Sequence, residues 1–273
     1  MRLFILTTGA SLLFLASPFA FAADEPDPLF ASHERLELRL TAPMTTLMRE
    51  RPDDEELDGT VSFSDGSGQT VQLSVEIRTR GNYRRQQRIC PFAPLRLDFK
   101  RSEVEDTLFD KQDKVKLVTH CRNAIQNEQA AMREYLVYRM FNQLTELSYL
   151  VRPLNITYVD TEKNGRENKR FGFLIESKER FGERTGWPEY EIGKINAATL
   201  EPGYSNLVGV FQYFAGNTDY SMISSPDKDD CCHNTQLYGD ESQAIAVPYD
   251  FDQSGLVDAA YASPNPRLER SSR

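Results

Sequence analysis

The strongest constraint on the fold is a change of hydrophobic period near residue 124 of this 273-residue chain. Before that point apolar side chains recur every second residue; just after it they recur every third or fourth. Val71, Leu73, Val75 and Ile77 alternate through the segment 70–79, which marks a strand with one buried face. Leu36, Leu38 and Leu40 give a second strand over 33–40, and 59–63, 94–99 and 114–119 read as three more. Asp65-Gly66-Ser67-Gly68 has the residues of a hairpin turn. From 125 to 147 the spacing predicts one amphipathic helix, with Met132, Leu136, Met140 and Leu144 on its apolar face and Tyr135 and Phe141 beside it. Alternation returns at 153–159 and 170–176, around a turn at Asn164-Gly165. Segment 177–204 reads as irregular. Leu207, Val210, Phe211 and Phe214 predict a helix over 206–214, followed by short strands near 234–238 and 244–248. Strands, one long helix, then more strands describe an α+β chain and not repeated βαβ units.

The first residues predict export. Arg2 precedes an apolar run from Leu3 to Ala16, Pro18 follows, and Ala20-Phe21-Ala22 has the small-x-small pattern of a cleavage site. The run is short for a membrane span, and no later stretch is long and apolar enough to be one. The expected organisation is a signal peptide over 1–22, a linker over 23–32, one domain over 33–262 and a tail over 263–273. A net charge of −9 and a pI near 5.0 disfavour nucleic acid as a partner. Against that background Arg78, Arg80, Arg84, Arg85 and Arg88 form a basic cluster, suited to oxyanions because guanidinium forks match their oxygens.

Export makes disulfides plausible for the four cysteines. If 94–99 and 114–120 pair antiparallel with residue 99 opposite 114, Cys90 and Cys121 fall at nearly the same level, so their pairing is favoured. Cys231 and Cys232 are left to form a vicinal ring, stay reduced or pair elsewhere.

Polar residues concentrate between 216 and 256: Gly216-Asn217-Thr218-Asp219, then His233-Asn234, then Pro248-Tyr249-Asp250-Phe251-Asp252. Phosphoryl transfer needs a carboxylate to receive a hydroxyl proton, oxygen ligands for a hard divalent ion and a lysine for phosphate charge. On that chemistry Asp219 is the candidate base, with Asn234 and Asp250 or Asp252 as metal ligands.

Arg78-Thr79-Arg80-Gly81-Asn82, Pro94-Leu95-Arg96-Leu97-Asp98-Phe99, the strand at 114–119 before a helix carrying Met132-Arg133, and the three late elements stand in one order. In that order they resemble the CotH-like family of atypical, exported, spore-coat kinase-like proteins. The resemblance spans about residues 74–258. It implies an atypical protein-kinase-like fold, with a strand-rich N-lobe carrying one long helix and a small C-lobe. It also implies ATP with magnesium or manganese, and a protein or small-molecule hydroxyl acceptor. By the same resemblance Asp219 matches the catalytic aspartate, Asn234 the metal-binding asparagine, and Asp250 or Asp252 the metal aspartate. Lys116 would contact phosphate, held by Glu134 or Glu128, with Arg80 as a further cofactor contact.

The sequence departs from that pattern in three places. Tyr220-Ser221 follow Asp219 where active relatives carry basic residues, no Gly-rich phosphate loop is evident, and the chain ends soon after Asp252, so truncation or loss of catalysis are both open. Asp250, Asp252, Ser254 and Gly255 also match the start of an EF-hand loop, although Tyr261 stands where its last ligand, a glutamate, belongs. A second expectation from a different class is a non-catalytic periplasmic or envelope protein that serves as scaffold or binding module.

Overall fold

The structure, a computed structural model, describes residues 27–225 and 231–263. The expected signal peptide, the first part of the linker and nearly all of the tail lie outside the described residues.

Seven strands form one closed barrel. β1 (Leu36–Ala42) leads through α1 (Met44–Glu50) to the hairpin β2 (Leu57–Ser64) and β3 (Thr70–Thr79), then to β4 (Leu95–Asp98), α2 (Arg101–Val104) and β5 (Lys114–Val118). After α3 (Ile125–Asn142) come β6 (Val151–Asp160) and β7 (Arg166–Ile175). The strand order is β1-β2-β3-β4-β5-β7-β6, and β6 returns to β1 in parallel, with Leu36 opposite Leu154 and Ala42 opposite Asp160. Inward residues such as Leu38, Leu40, Val61, Ile77, Leu97, Leu117 and Ile156 fill the interior, and Phe63, Phe99 and Phe109 pack with them.

This corrects the expected fold class. The elements are α+β, but β6 and β7 join the same sheet as β1–β5 and close it, so the molecule is barrel-centred and not a bilobal kinase-like architecture. The reason is the β1–β6 pairing, which joins segments more than a hundred residues apart. A local hydrophobic pattern carries no record of such a partner.

Both faces of the last half of β7 are buried, which explains its apolar run Phe171–Ile175, interrupted only by Gly172. A Cβ on Gly172 would lie 2.9 Å from the Val118 carbonyl oxygen, so the close β5–β7 seam requires glycine there. Outside β7 lies a second core, made by α3, α4 (Lys178–Thr185), α5 (Pro202–Ala215) and the hairpin β8 (Thr235–Gly239) with β9 (Ala244–Pro248). α4 lies within the stretch expected to be irregular. Its start is capped by the Ser177 hydroxyl, which accepts from the Arg180 N–H.

Two helix faces differ from expectation. On α3, Ala131, Glu134, Tyr135, Val137, Tyr138 and Phe141 face inward with Met132 and Met140 packed against the same core, whereas Leu136 is exposed and Leu144, past the helix end at Asn142, is exposed too. On α5, Tyr204, Val208, Phe211 and Ala215 are buried, whereas Val210 and Phe214 are exposed. Within the segment read as linker, Leu29 and Phe30 are buried, and Asp27 accepts from the Arg180 guanidinium at 2.7 and 2.8 Å. Cys90 and Cys121 form a disulfide, as their strand levels suggested, and Cys231 and Cys232 form the vicinal ring. Among the described residues no helix is long and apolar enough to cross a membrane.

Candidate functional site

Alternation along the strands sends Leu95, Leu97, Val115 and Leu117 into the barrel, and therefore sends Arg96, Lys114 and Lys116 out. The register then places Arg78 directly opposite Arg96, and Arg96 directly opposite Lys116. Three cations thus form a row across three neighbouring strands. Like charges at directly opposed positions destabilise a sheet. Arg78 is partly neutralised by Glu56 at 3.2 Å, and Lys114 lies 3.9 Å from Asp98. Arg96 has no ion pair among the described residues.

The row forms one wall of a cleft of about 660 Å³. The opposite wall comes from the end of α5 and from the β8–β9 hairpin. Gly216 ends α5 in left-handed backbone (φ 64°), and Asn217 then turns the chain by accepting the Asp219 N–H on Oδ1 at 3.0 Å. Asn234 and Asp250 flank the hairpin with φ of 50° and 60°, a conformation that short polar side chains tolerate. The Tyr249 N–H donates to the Asn234 carbonyl at 3.0 Å, and the Asp250 N–H donates to the Tyr138 hydroxyl at 2.8 Å, which ties this wall to α3.

Arg84 sits at the base of the cleft. Its guanidinium reaches Glu134 at 3.1 Å, Asp252 at 3.1 Å and Asp250 at hydrogen-bond distance. Burial opposes the charge of Arg84, but Asp252, Glu134 and Asp250 outweigh it and hold its pKa well above the ordinary arginine value. Burial and the neighbouring carboxylates push Glu134 up against the pull of Arg84, and burial likewise raises Asp252. Asp250 moves the other way: burial would raise it, but Arg84, Arg80 and Lys116 hold it low. Asp219 is engaged separately. Its Oδ1 is 2.8 Å from His233 Nε2, and the Asn234 amide donates to its carbonyl at 2.7 Å and to Oδ2 at 3.1 Å.

Of the residues singled out in the sequence, Arg80, Lys116, Asp219, Asn234, Asp250 and Asp252 all line this cleft. Glu134 lies beneath it. Neither Glu134 nor Glu128 makes an ion pair with Lys116: Glu134 holds Arg84, and Glu128 accepts the Phe171 N–H at 2.9 Å. Lys116 instead places its ammonium 4.8 Å from the centre of the Tyr249 ring. Burial, then Arg80 and Lys178, push its pKa down to about 7, with Asp250 pulling the other way.

The expected metal chemistry is overturned here. Among the described residues no group of three or more His, Cys, Asp or Glu side chains could hold a metal ion. The physical cause is Arg84, whose guanidinium takes the place at the centre of Glu134, Asp250 and Asp252 that a divalent ion would need. Magnesium or manganese therefore lacks its ligand set, and the metal-dependent transfer of phosphate from ATP loses its basis. The EF-hand alternative fails for the same reason. Its first two acids grip Arg84, and the carbonyls of Val257 and Asp258 accept from Arg133 at 2.7 and 3.3 Å.

Arg96 and the central position of Arg84 escaped the sequence reading. The signal for Arg96 was present in its outward phase on β4; Arg84 left none, since its three partners lie 50 to 168 positions away. No family model matches the chain, and no curated protein or solved structure matches it.

Proposed function

We propose that this chain is a non-catalytic binding protein of the periplasm or cell envelope whose cleft captures an oxyanion-bearing small molecule. The row Arg78–Arg96–Lys116 carries this reading. Three opposed cations on one sheet face are unfavourable by themselves, and a dianion between them removes the repulsion while satisfying guanidinium donors bidentately. Arg80 adds positive charge to the same cleft, whereas Lys178 is paired there with Glu189 at 3.1 Å. In a protein of net charge −9, the row itself is a local concentration of cations on one sheet face. Asp219, tied to His233 and Asn234, and the carboxylates around Arg84 then serve as a fixed frame for the wall facing the row.

Two disulfides and the signal-like first residues support an oxidising destination outside the cytoplasm. The CotH-like resemblance enters this reading as a kinship of motifs without the transfer chemistry.

The test is calorimetric titration of the purified protein with sulfate and with pyrophosphate at low ionic strength. Saturable one-to-one binding is expected, weakened at least about tenfold by Arg96→Glu, which equals roughly 1.4 kcal/mol. Absence of saturation by either anion in folded protein, or unchanged affinity in Arg96→Glu, would remove the reading.

A further inference from the structure

A second cavity, of about 610 Å³, opens at the end of the barrel where β1 and β6 finish, β7 begins and the Cys90–Cys121 disulfide pins the β4–β5 side. The loop between β3 and β4 separates it from the cleft: Arg84 lines the cleft, whereas Gln87, Pro91 and Phe92 line the cavity. Its base is apolar. Met44 and Met48 come from α1, and Phe92 packs on Tyr158 with ring centroids 4.6 Å apart. The Tyr158 hydroxyl is buried there with no hydrogen-bond partner among the described residues.

The rim has the opposite character. Arg122, Lys163, Arg166 and Arg170 line it, and none of them makes an ion pair among the described residues. Arg122 donates to the carbonyls of Ile89 and Arg88, and Arg170 to the Lys169 carbonyl and the Asn123 side chain, all neutral acceptors that leave the charge uncompensated. Of the two carboxylates present, Glu167 pairs with Arg39, while Asp160, which accepts from the Thr45 hydroxyl at 2.6 Å and the Glu162 N–H at 3.1 Å, keeps its charge near Lys163, so four cations face one uncompensated carboxylate. A merely solvated basic surface has no reason to surround an apolar base, whereas ligand pockets combine an apolar lining with a few convergent polar groups.

We propose that this barrel-end cavity is a second binding site, for a small acyl carboxylate. The acyl chain lies on Met48, Phe92 and Tyr158, and the carboxylate meets Lys163 and Arg166 at the rim. The site stands independently of the anion cleft, since it shares none of its charged residues.

Calorimetry with octanoate and with 1-octanol, at physiological salt, tests it. Rim charges then act over only about 8 Å, so long-range effects are screened. Wild type is expected to bind one octanoate saturably and 1-octanol at least about tenfold more weakly. The double variant Lys163→Glu/Arg166→Glu, at two exposed positions, is expected to lose at least about tenfold in octanoate affinity with an unchanged melting temperature. If the double variant proves unfolded, Arg166→Gln replaces it, with a smaller loss in the same direction. Absence of saturable octanoate binding, equal affinity for the alcohol, or undiminished affinity in the folded variant would overturn the proposal.

Discussion

At the residue scale the molecule turns on one buried cation. Arg84 is shared by Glu134, Asp250 and Asp252, so its removal strands carboxylates that burial already disfavours. Arg84→Ala is expected to cost about 3–5 kcal/mol in urea denaturation at neutral pH. The sign of its pH dependence follows from the shifts. Without the guanidinium, Glu134 and Asp252 keep raised folded-state pKa values, so the fold favours their neutral forms. The deficit should shrink as pH falls from 8 towards 5 and grow as pH rises; an unchanging deficit would mean these carboxylates do not titrate in the variant. Lys116 supplies a second test. With its pKa near 7, and Arg80, Arg96, Lys178 and Asp250 around it, the ammonium is charged below neutrality and fades above it. Sulfate does not titrate in this range, so its affinity should fall between pH 6 and 8.5 in wild type. Calorimetry on Lys116→Gln should show a flatter profile. The sequence exposed the polar residues of the cleft wall because Asp219, Asn234, Asp250 and Asp252 cluster in loop-like stretches with no apolar period. It could not expose Arg84 as their partner, because an arginine in a basic run carries no mark of which distant acids it meets.

At the element scale, period is a better guide to the existence of a strand or helix than to the direction a helix faces. β3 occupies the span its alternation predicts, since a period of two leaves a single choice of inward set. α3 offered two sets. Its largest flexible apolar residues suggested Met132, Leu136, Met140 and Leu144; Met132 and Met140 do flank the core, but the buried face is built from Ala131, Val137, Tyr138 and Phe141 with Glu134 among them. An acid in the middle of the true face hid it from an apolar count. The assignment is testable by denaturation: Phe141→Ala, at a buried site between Tyr204 and Phe211, should cost about 3–5 kcal/mol. Leu136→Ala, at an exposed site, should change stability by about 0.5 kcal/mol or less. α1 and α4 went unread because each is only two turns or so long, and their helical spacing is lost among charged neighbours.

At the scale of the whole molecule, closure of the barrel decides what the chain can do. The parallel β1–β6 seam turns a strand-rich half and a helical half into one body, leaving the outer faces of β3, β4 and β5 as one wall of a cleft. That seam was illegible in the sequence, as any pairing between distant strands is, whereas the Cys90–Cys121 link was legible because the two strands it buttresses are adjacent. The link closes a loop with a sequence separation of 31, and its removal by Cys90→Ala/Cys121→Ala should lower stability by about 2–4 kcal/mol in chemical denaturation. Anomalous diffraction from crystals soaked in tungstate, an electron-dense analogue of sulfate, tests the anion site most directly. A peak is expected in the cleft between the side chains of Arg78, Arg96 and Lys116. A cleft without that peak, at tungstate concentrations that saturate the protein in solution, would contradict it.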